Sequence, residues 1–175
     1  KLVITVSDCT GHGVPGAFMS MLGIAFLNEI VNKSTALKAN EILDQLRENI
    51  IESLHQEYGI RGSKDGMDMA LCIIDKESLE MEYAGAYNPA YIVRNGELIE
   101  IKADKMPIGI HAVKVDKGFE KKSFKLESGD MLYLFSDGYV DQFGGKDGMK
   151  FKQKAFKDLL IKVSNNDMNK QLNAI

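Results

Sequence analysis

Apolar side chains recur at every second residue at the start of the chain, where Leu2, Ile4 and Val6 interleave with Val3, Thr5 and Ser7. That is the period of a strand. The strand is predicted to end at Ser7-Asp8, with Gly11-His12-Gly13 as a turn and Pro15 in the first turn of a helix, where its missing N–H costs nothing. From Val14 to about Val31 apolar residues cover nearly the whole helical circumference, which predicts a buried or sandwiched helix. A second helix is predicted from about Asn40 to Tyr58, with Leu43, Leu46, Ile50 and Leu54 as its apolar stripe and Gly59 as its stop.

After Gly66 the period shortens to two. Met67, Met69, Leu71 and Ile73 alternate with Asp68, Ala70 and Cys72, and Leu79, Met81 and Tyr83 with Glu80 and Glu82. The two runs flank Lys76-Glu77-Ser78 and predict a hairpin. Tyr91–Arg94 and Glu97–Ile101 flank Asn95-Gly96, whose residues tolerate the positive φ of a two-residue hairpin turn. Ser123–Leu126 and Met131–Phe135 predict another strand pair around Ser128-Gly129-Asp130, and the tail from about Lys150 to Val163 reads as a helix. Strand, two helices, six strands in hairpins, then a helix make an α+β domain with antiparallel sheet and segregated helices.

The 175 residues suit one domain, and 45% hydrophobic with 27% charged residues is ordinary globular composition. Net charge is 22 − 25 = −3, which argues against nucleic-acid binding as the main activity. Cys9 and Cys72 are too few for a disulfide framework and lack the spacing of a zinc site. The longest apolar stretch, Val14 to Leu27, is interrupted by Pro15 and Ser20 and falls short of the ~20 residues of a membrane span. No signal-peptide pattern opens the chain, so the expected compartment is cytoplasmic, with a membrane tether open to a longer protein. Lys1 stands in an apolar run without an initiating Met, which reads as a piece of something longer.

Two places share one grammar, an apolar strand ending in an acidic residue and a tight turn. One is Ile4-Thr5-Val6-Ser7-Asp8-Cys9-Thr10-Gly11-His12-Gly13; the other is Tyr133-Leu134-Phe135-Ser136-Asp137-Gly138, with Asp141 one turn on. Carboxylates at the ends of core strands can converge on a hard cation such as Mg²⁺ or Mn²⁺. Aspartates also cap turns, and spacing alone leaves both readings open.

The complete words carry more. Asp8-Cys9-Thr10-Gly11-His12-Gly13-Val14-Pro15-Gly16-Ala17 resembles the Asp-x-x-Gly-His-Gly-x-x-Ala signature of SpoIIE-like phosphatases, the bacterial branch of the metal-dependent PPM serine/threonine phosphatases. Tyr83-Ala84-Gly85-Ala86-Tyr87-Asn88-Pro89-Ala90 is similar to the family's Ala-Gly-x-x-Pro-Pro segment, and Lys105-Met106-Pro107-Ile108-Gly109 to its Pro-Leu-Gly loop. Gly129-Asp130 through Ser136-Asp137-Gly138-Tyr139-Val140-Asp141 resembles its second aspartate word. The words occur in family order over about Ile4 to Lys152.

The resemblance implies a PPM-type α/β-β/α sandwich, two mainly antiparallel sheets with helices packed on the outside. It implies two Mn²⁺ or Mg²⁺ ions, with Asp8 bridging them, the Cys9 backbone carbonyl as a ligand and Asp137 as the second metal-binding aspartate. Gly138 leaves the metal site uncrowded, Asp141 stands behind the ligands, and His12, Gly13 and Asn88 lie at the second shell or the substrate. The implied reaction is in-line attack of metal-activated water on phosphoserine or phosphothreonine, without a covalent enzyme intermediate.

Departures qualify this. Thr10 occupies the place of a general-acid His in eukaryotic-type relatives, so His12 does not inherit that role and reads as a locally hydrogen-bonded turn residue. Gly85-Ala86-Tyr87-Asn88 replaces Gly-Asp-Ser-Arg, which puts a third metal ligand in doubt there. Asp68 reads as a polar-face residue of its strand, with proximity to the metals as the second reading. The family's Gly-Gly-Asp segment and its Asp-Asp-Met/Ile-Thr strand fall outside residues 1–175, so the expectation is a single SpoIIE-like domain incomplete at both ends, weak in metal binding and with an open sheet edge. Lysine clusters around Lys117–Lys125 and Lys146–Lys157 read as solvated faces. The expected role is the phosphatase output module of a bacterial signalling protein with an upstream sensor. Its substrate would be a phosphorylated protein such as an anti-sigma-factor antagonist, its activity switched through the two helices after Asp8, and a homodimer fits the exposed edge. A catalytically silent regulatory module of the same fold is the competing reading, and a metal-dependent phosphodiesterase a weaker third.

Overall fold

The computed structural model describes residues 1–33, 36, 38–57, 64–111, 117–144 and 148–175. In chain order the elements are β1 (Leu2–Cys9), α1 (Gly13–Lys33), α2 (Ala39–Ser53), β2 (Met67–Ile74), β3 (Glu80–Ala86), β4 (Ala90–Arg94) and β5 (Glu97–Ile101). They continue with β6 (Lys122–Lys125), β7 (Met131–Leu134), β8 (Phe143–Gly144), β9 (Met149–Lys150), α3 (Lys152–Val163) and α4 (Met168–Ala174). Four strands form one antiparallel sheet in the order β1-β2-β3-β6, three form a second in the order β5-β4-β7, and β8-β9 is a small ribbon.

Strand alternation builds the layers. On β2, Met67, Met69, Leu71 and Ile73 share a core with Met19 of α1 and Leu43, Leu46 and Ile50 of α2. The intervening Ala70 and Cys72 face the other way and pack with Ala90 and Ile92 of β4 and Leu132 and Leu134 of β7. On the far side of β4, Tyr91 and Val93 pack with Phe156 and Leu160 of α3. The order is therefore helices, sheet, sheet, helix, the sandwich that the resemblance implies. Burial between the sheets also raises the Cys72 thiol to about 12, which leaves it an inert core residue. Both cysteines are free.

Several local expectations change. β1 runs through Asp8 to Cys9, because those two residues keep pairing with Asp68 and Met67. α1 is one uninterrupted helix: Pro15 sits in its first turn and Ser20 Oγ donates to Gly16 O at 2.9 Å, so neither residue breaks it. By length and composition alone α1 is therefore long and apolar enough to cross a membrane; here Met19, Leu22, Phe26 and Ile30 pack it onto the sheet core. Nor is it sandwiched. Phe18 is 55% and Met21 70% exposed, with Val14 and Ile24 also outward, because α2 and the sheet pack against the opposite side of the helix.

α2 stops at Ser53 rather than near Tyr58. His55 takes a left-handed φ of 47°, and the buried Gln56 accepts the Ile110 N–H at 2.9 Å and donates to Asp65 O, turning the chain inward. Tyr58 and Gly59 lie outside the described residues, as does Lys146 of the tail lysine cluster. β6 and β7 are not partners: β6 pairs with β3 and β7 with β4, so the Glu127–Asp130 connection crosses between sheets. Arg94 fixes that crossing with two bonds to Asp130 at 2.8 and 2.7 Å, a third to Glu127 and a fourth to the Lys125 carbonyl. The tail holds a further helix, α4, whose N-cap Asp167 accepts the Lys170 N–H at 3.0 Å. The expected Asn95-Gly96 hairpin is present, with φ of 52° and 81°.

Candidate active site

Residues 3 and 9 of β1 pack toward the helices, so the two-residue period turns Asp8 to the opposite face, toward the second sheet. Asp68, in step with Ala70 and Cys72, shares that face, and the β1–β2 register sets it directly across from Asp8. Like charges directly opposite one another destabilise a strand pair. Asp137 comes from the second sheet, three residues beyond β7, and its carbonyl accepts the Asp141 N–H at 2.9 Å, which tightens the turn. Among the described residues no cation pairs with Asp8, Asp68 or Asp137.

Asp68 responds to its surroundings. Burial, followed by the charges of Asp137 and Asp8, pushes Asp68 up to about 6. Asp8 and Asp137 themselves are exposed, whereas Asp68 is half-buried. A pocket of about 220 Å³ runs between the layers, lined by Asp68, Asp137, Asn88, Phe135 and Val140 among others. Asn88 is buried in its wall with its side-chain Nδ2 unpartnered.

The turn after β1 is closed by Thr10. Its backbone N–H donates to Gly66 O at 2.9 Å, and its Oγ1 accepts the Gly66 N–H at 2.9 Å, binding the end of β1 to the start of β2. Gly11 and Gly13 take φ of 88° and 63°, and a Cβ on Gly16 would come within 2.9 Å of Gly11 O, so the loop into α1 is glycine-dependent. Gly13 becomes the first residue of α1. His12 is exposed, and among the described residues its ring makes no hydrogen bond, unlike the locally bonded turn residue expected. Gly138 is exposed, and a Cβ there would meet Ser136 Oγ at 3.4 Å. Cys9 is turned toward the helices, which leaves its thiol out of the cleft. Asp141, four residues beyond Asp137, pairs with Lys150 Nζ at 2.9 Å.

The structure thus brings Asp8 and Asp137 to the same end of the sandwich and adds Asp68, which sequence pattern left mainly as a polar-face residue. Its signal was a lone carboxylate in an otherwise apolar strand, in register with small residues. The donor set suits a hard divalent cation: carboxylate oxygens, with no imidazole or thiolate. Among the described residues no three His, Cys, Asp or Glu side chains converge closely enough to hold an ion unaided. Mg²⁺ and Mn²⁺ fit such an open site, since Mg²⁺ in particular keeps several waters and uses one or two protein carboxylates.

A sequence profile for the family described as Stage II sporulation protein E (SpoIIE) matches residues 1–175. Among solved structures, the SiaA-PP2C domain of Pseudomonas aeruginosa superposes with a TM-score of 0.84 at 29% identity, over 98% of this chain and 65% of that one. The PP2C phosphatase domain of SpoIIE from Bacillus subtilis, solved with a fragment of its regulatory domain, gives 0.69 at 17% identity, over 99% of this chain and 50% of that one. The catalytic domain of the serine/threonine protein phosphatase PstP, in complex with two manganese ions, gives 0.58 at 16% identity, over 93% and 80%. The last two likenesses concern the fold. The chain spans about half to two thirds of the first two structures it matches.

Proposed function

From the premise that the chain belongs to the SpoIIE family of PPM-type (PP2C) phosphatase domains, we propose that it hydrolyses phosphoserine or phosphothreonine in a protein substrate, with Mn²⁺ or Mg²⁺ held by Asp8 and Asp137. The observation that carries the reading is that Asp8 on β1 and Asp137 after β7, from different sheets, both lie near enough to Asp68 for its carboxyl to respond to their charge. The manganese ions in the PstP structure support the choice of metal.

In this reading the carboxylates of Asp8 and Asp137 and the backbone carbonyl of Cys9 would hold the metal. When bound, the metal supplies Lewis-acid polarisation of the phosphoryl group and lowers the pKa of water. The residues of the chain set the geometry. Thr10 locks β1 to β2 and so fixes Asp8 against Asp68, and the Asp137–Asp141 turn fixes the other carboxylate. The N-terminus of α1 after Gly13 adds a modest pull on an anionic substrate. Asp141, paired with Lys150, steadies the turn from behind the carboxylates, and Gly138 keeps it open. The lack of a ready-made metal-holding trio among the described residues favours a second reading, a silent regulatory module of the same fold.

As an output module of a signalling protein, the domain would act on a phosphorylated regulatory partner in the cytoplasm, under an upstream sensor. Hydrolysis of a phosphoserine peptide, measured with Mn²⁺ and with a chelator, separates the readings. Metal-dependent phosphate release supports the enzyme, and no release in either condition supports the silent module.

A further inference from the structure

One wall of the pocket between Asp68 and Asp137 is not explained by metal chemistry. Asn88 is 5% exposed, and its Nδ2 has no hydrogen-bond partner. A buried amide donor without an acceptor costs stability and calls for an explanation. The backbone that carries it is held with unusual care. Tyr83 Oη donates to the Asn88 carbonyl at 2.6 Å, the Asn88 N–H donates to Ala86 O at 2.7 Å, and Tyr87 takes a left-handed φ of 58° while its N–H bonds Asp104 O at 2.9 Å. Gly85 makes room for this: a Cβ there would overlap Tyr83 Oη and lie 2.8 Å from Asn88 O. These contacts fix the backbone of Asn88, whose side chain lines a pocket with two charged walls, the carboxylates Asp68 and Asp137.

A neutral N–H donor at that position seeks an oxygen acceptor, and it offers one a bond without adding charge. The carboxylates would repel an anion by themselves, so the donor matters most for an anionic ligand brought in with a cation. Resting on the phosphatase reading, we propose that Asn88 is a phosphoryl-binding residue, its Nδ2 donating to a non-bridging oxygen of the phosphoester and holding that group beside Asp137. Free phosphate shares the same chemistry and serves as the probe.

Equilibrium dialysis of radiolabelled inorganic phosphate against the whole chain, with Mg²⁺ present, tests this. Wild type should bind, Asn88→Ala should bind about tenfold more weakly, as expected for one hydrogen bond to a charged oxygen, and Asn88→Asp should not bind. Mg²⁺ affinity by calorimetry should hold within about twofold in Asn88→Ala, a readout that general damage to the fold would move. Asn88→Asp keeps the side-chain shape should the alanine variant fail to fold. Equal phosphate affinity in all three proteins, or no binding by wild type, overturns the assignment. Turnover of p-nitrophenyl phosphate is measured alongside. A wild type that binds phosphate through Asn88 but does not turn over substrate leaves the assignment standing and refutes the proposed activity. A wild type that turns over while Asn88→Ala keeps both its KM and its phosphate affinity does the reverse.

Discussion

Asp68→Asn should stabilise the metal-free protein at neutral pH. Asp68 lies opposite Asp8 and near Asp137, with its carboxyl pushed up to about 6 against an ordinary aspartate value of 3.8. The native state therefore holds that proton more tightly than the unfolded chain does. Stability falls as pH rises from about 3.8 to about 6 and stays reduced above that. At about 1.36 kcal/mol per pH unit the gap is worth at most roughly 3 kcal/mol. Asp68 is only half-buried, so solvent screening removes about half and leaves ~1.5 kcal/mol. Asparagine keeps the shape and removes the charge, so the variant should melt about 3–6 °C higher than wild type in chelator at pH 7.5, given roughly 2–4 °C per kcal/mol for a chain of this size. Near pH 3.5 the two melting points should coincide. Mn²⁺ should then raise the wild-type melting point more than that of the variant, since removing the Asp68 charge weakens cation binding and the stabilisation by a ligand grows with its affinity. A variant that melts lower than wild type in chelator at pH 7.5, or a difference that persists unchanged at pH 3.5, refutes the charge-crowding argument.

Other perturbations give distinct signatures. Gly85→Ala should lose at least about 2–3 kcal/mol in urea unfolding, because its Cβ has to displace Tyr83 Oη and Cζ, the latter 2.7 Å away. Tyr83→Phe removes the bond to the Asn88 carbonyl and should cost about 1 kcal/mol by the same assay. Arg94→Ala leaves Asp130, whose side chain is 4% exposed, without its cation and with only the Glu127 N–H of the contacts described, and should cost roughly 2–3 kcal/mol at pH 7. Because the Arg94 hydrogen bond holds the Asp130 carboxyl below its usual range, that loss should shrink as acid protonates Asp130, as pH-dependent melts would show.

Much of the architecture was legible because it is local. The alternation of Met67 to Ile73 fixed both a strand and its two faces, and Asn95-Gly96 fixed a turn. The strand pairing around Ser128-Gly129-Asp130 was misread because nothing local distinguishes a hairpin from a crossing between sheets. The deciding contact comes from Arg94, 36 residues from Asp130 in the chain. The exposure of α1 was hidden for a similar reason: its composition shows apolar surface but not which side of it is packed. At the site, Asp8 and Asp137 stood out through the words around them. Asp68 carries no such word, and its place emerges only from a register spanning 60 residues of chain. Asn88 was marked only through the resemblance, and the sequence could not show that its amide is buried without an acceptor.

The most direct test of the account is Mn²⁺-dependent hydrolysis of a phosphoserine peptide by wild type, Asp8→Asn and Asp137→Asn, each with its fold verified by circular dichroism. Wild type should turn over, chelator should abolish that turnover, and each variant should lose about 100-fold or more, the scale expected when a metal ligand of the reacting centre is removed. Wild-type rates in both variants, or turnover that survives the chelator, would contradict the account.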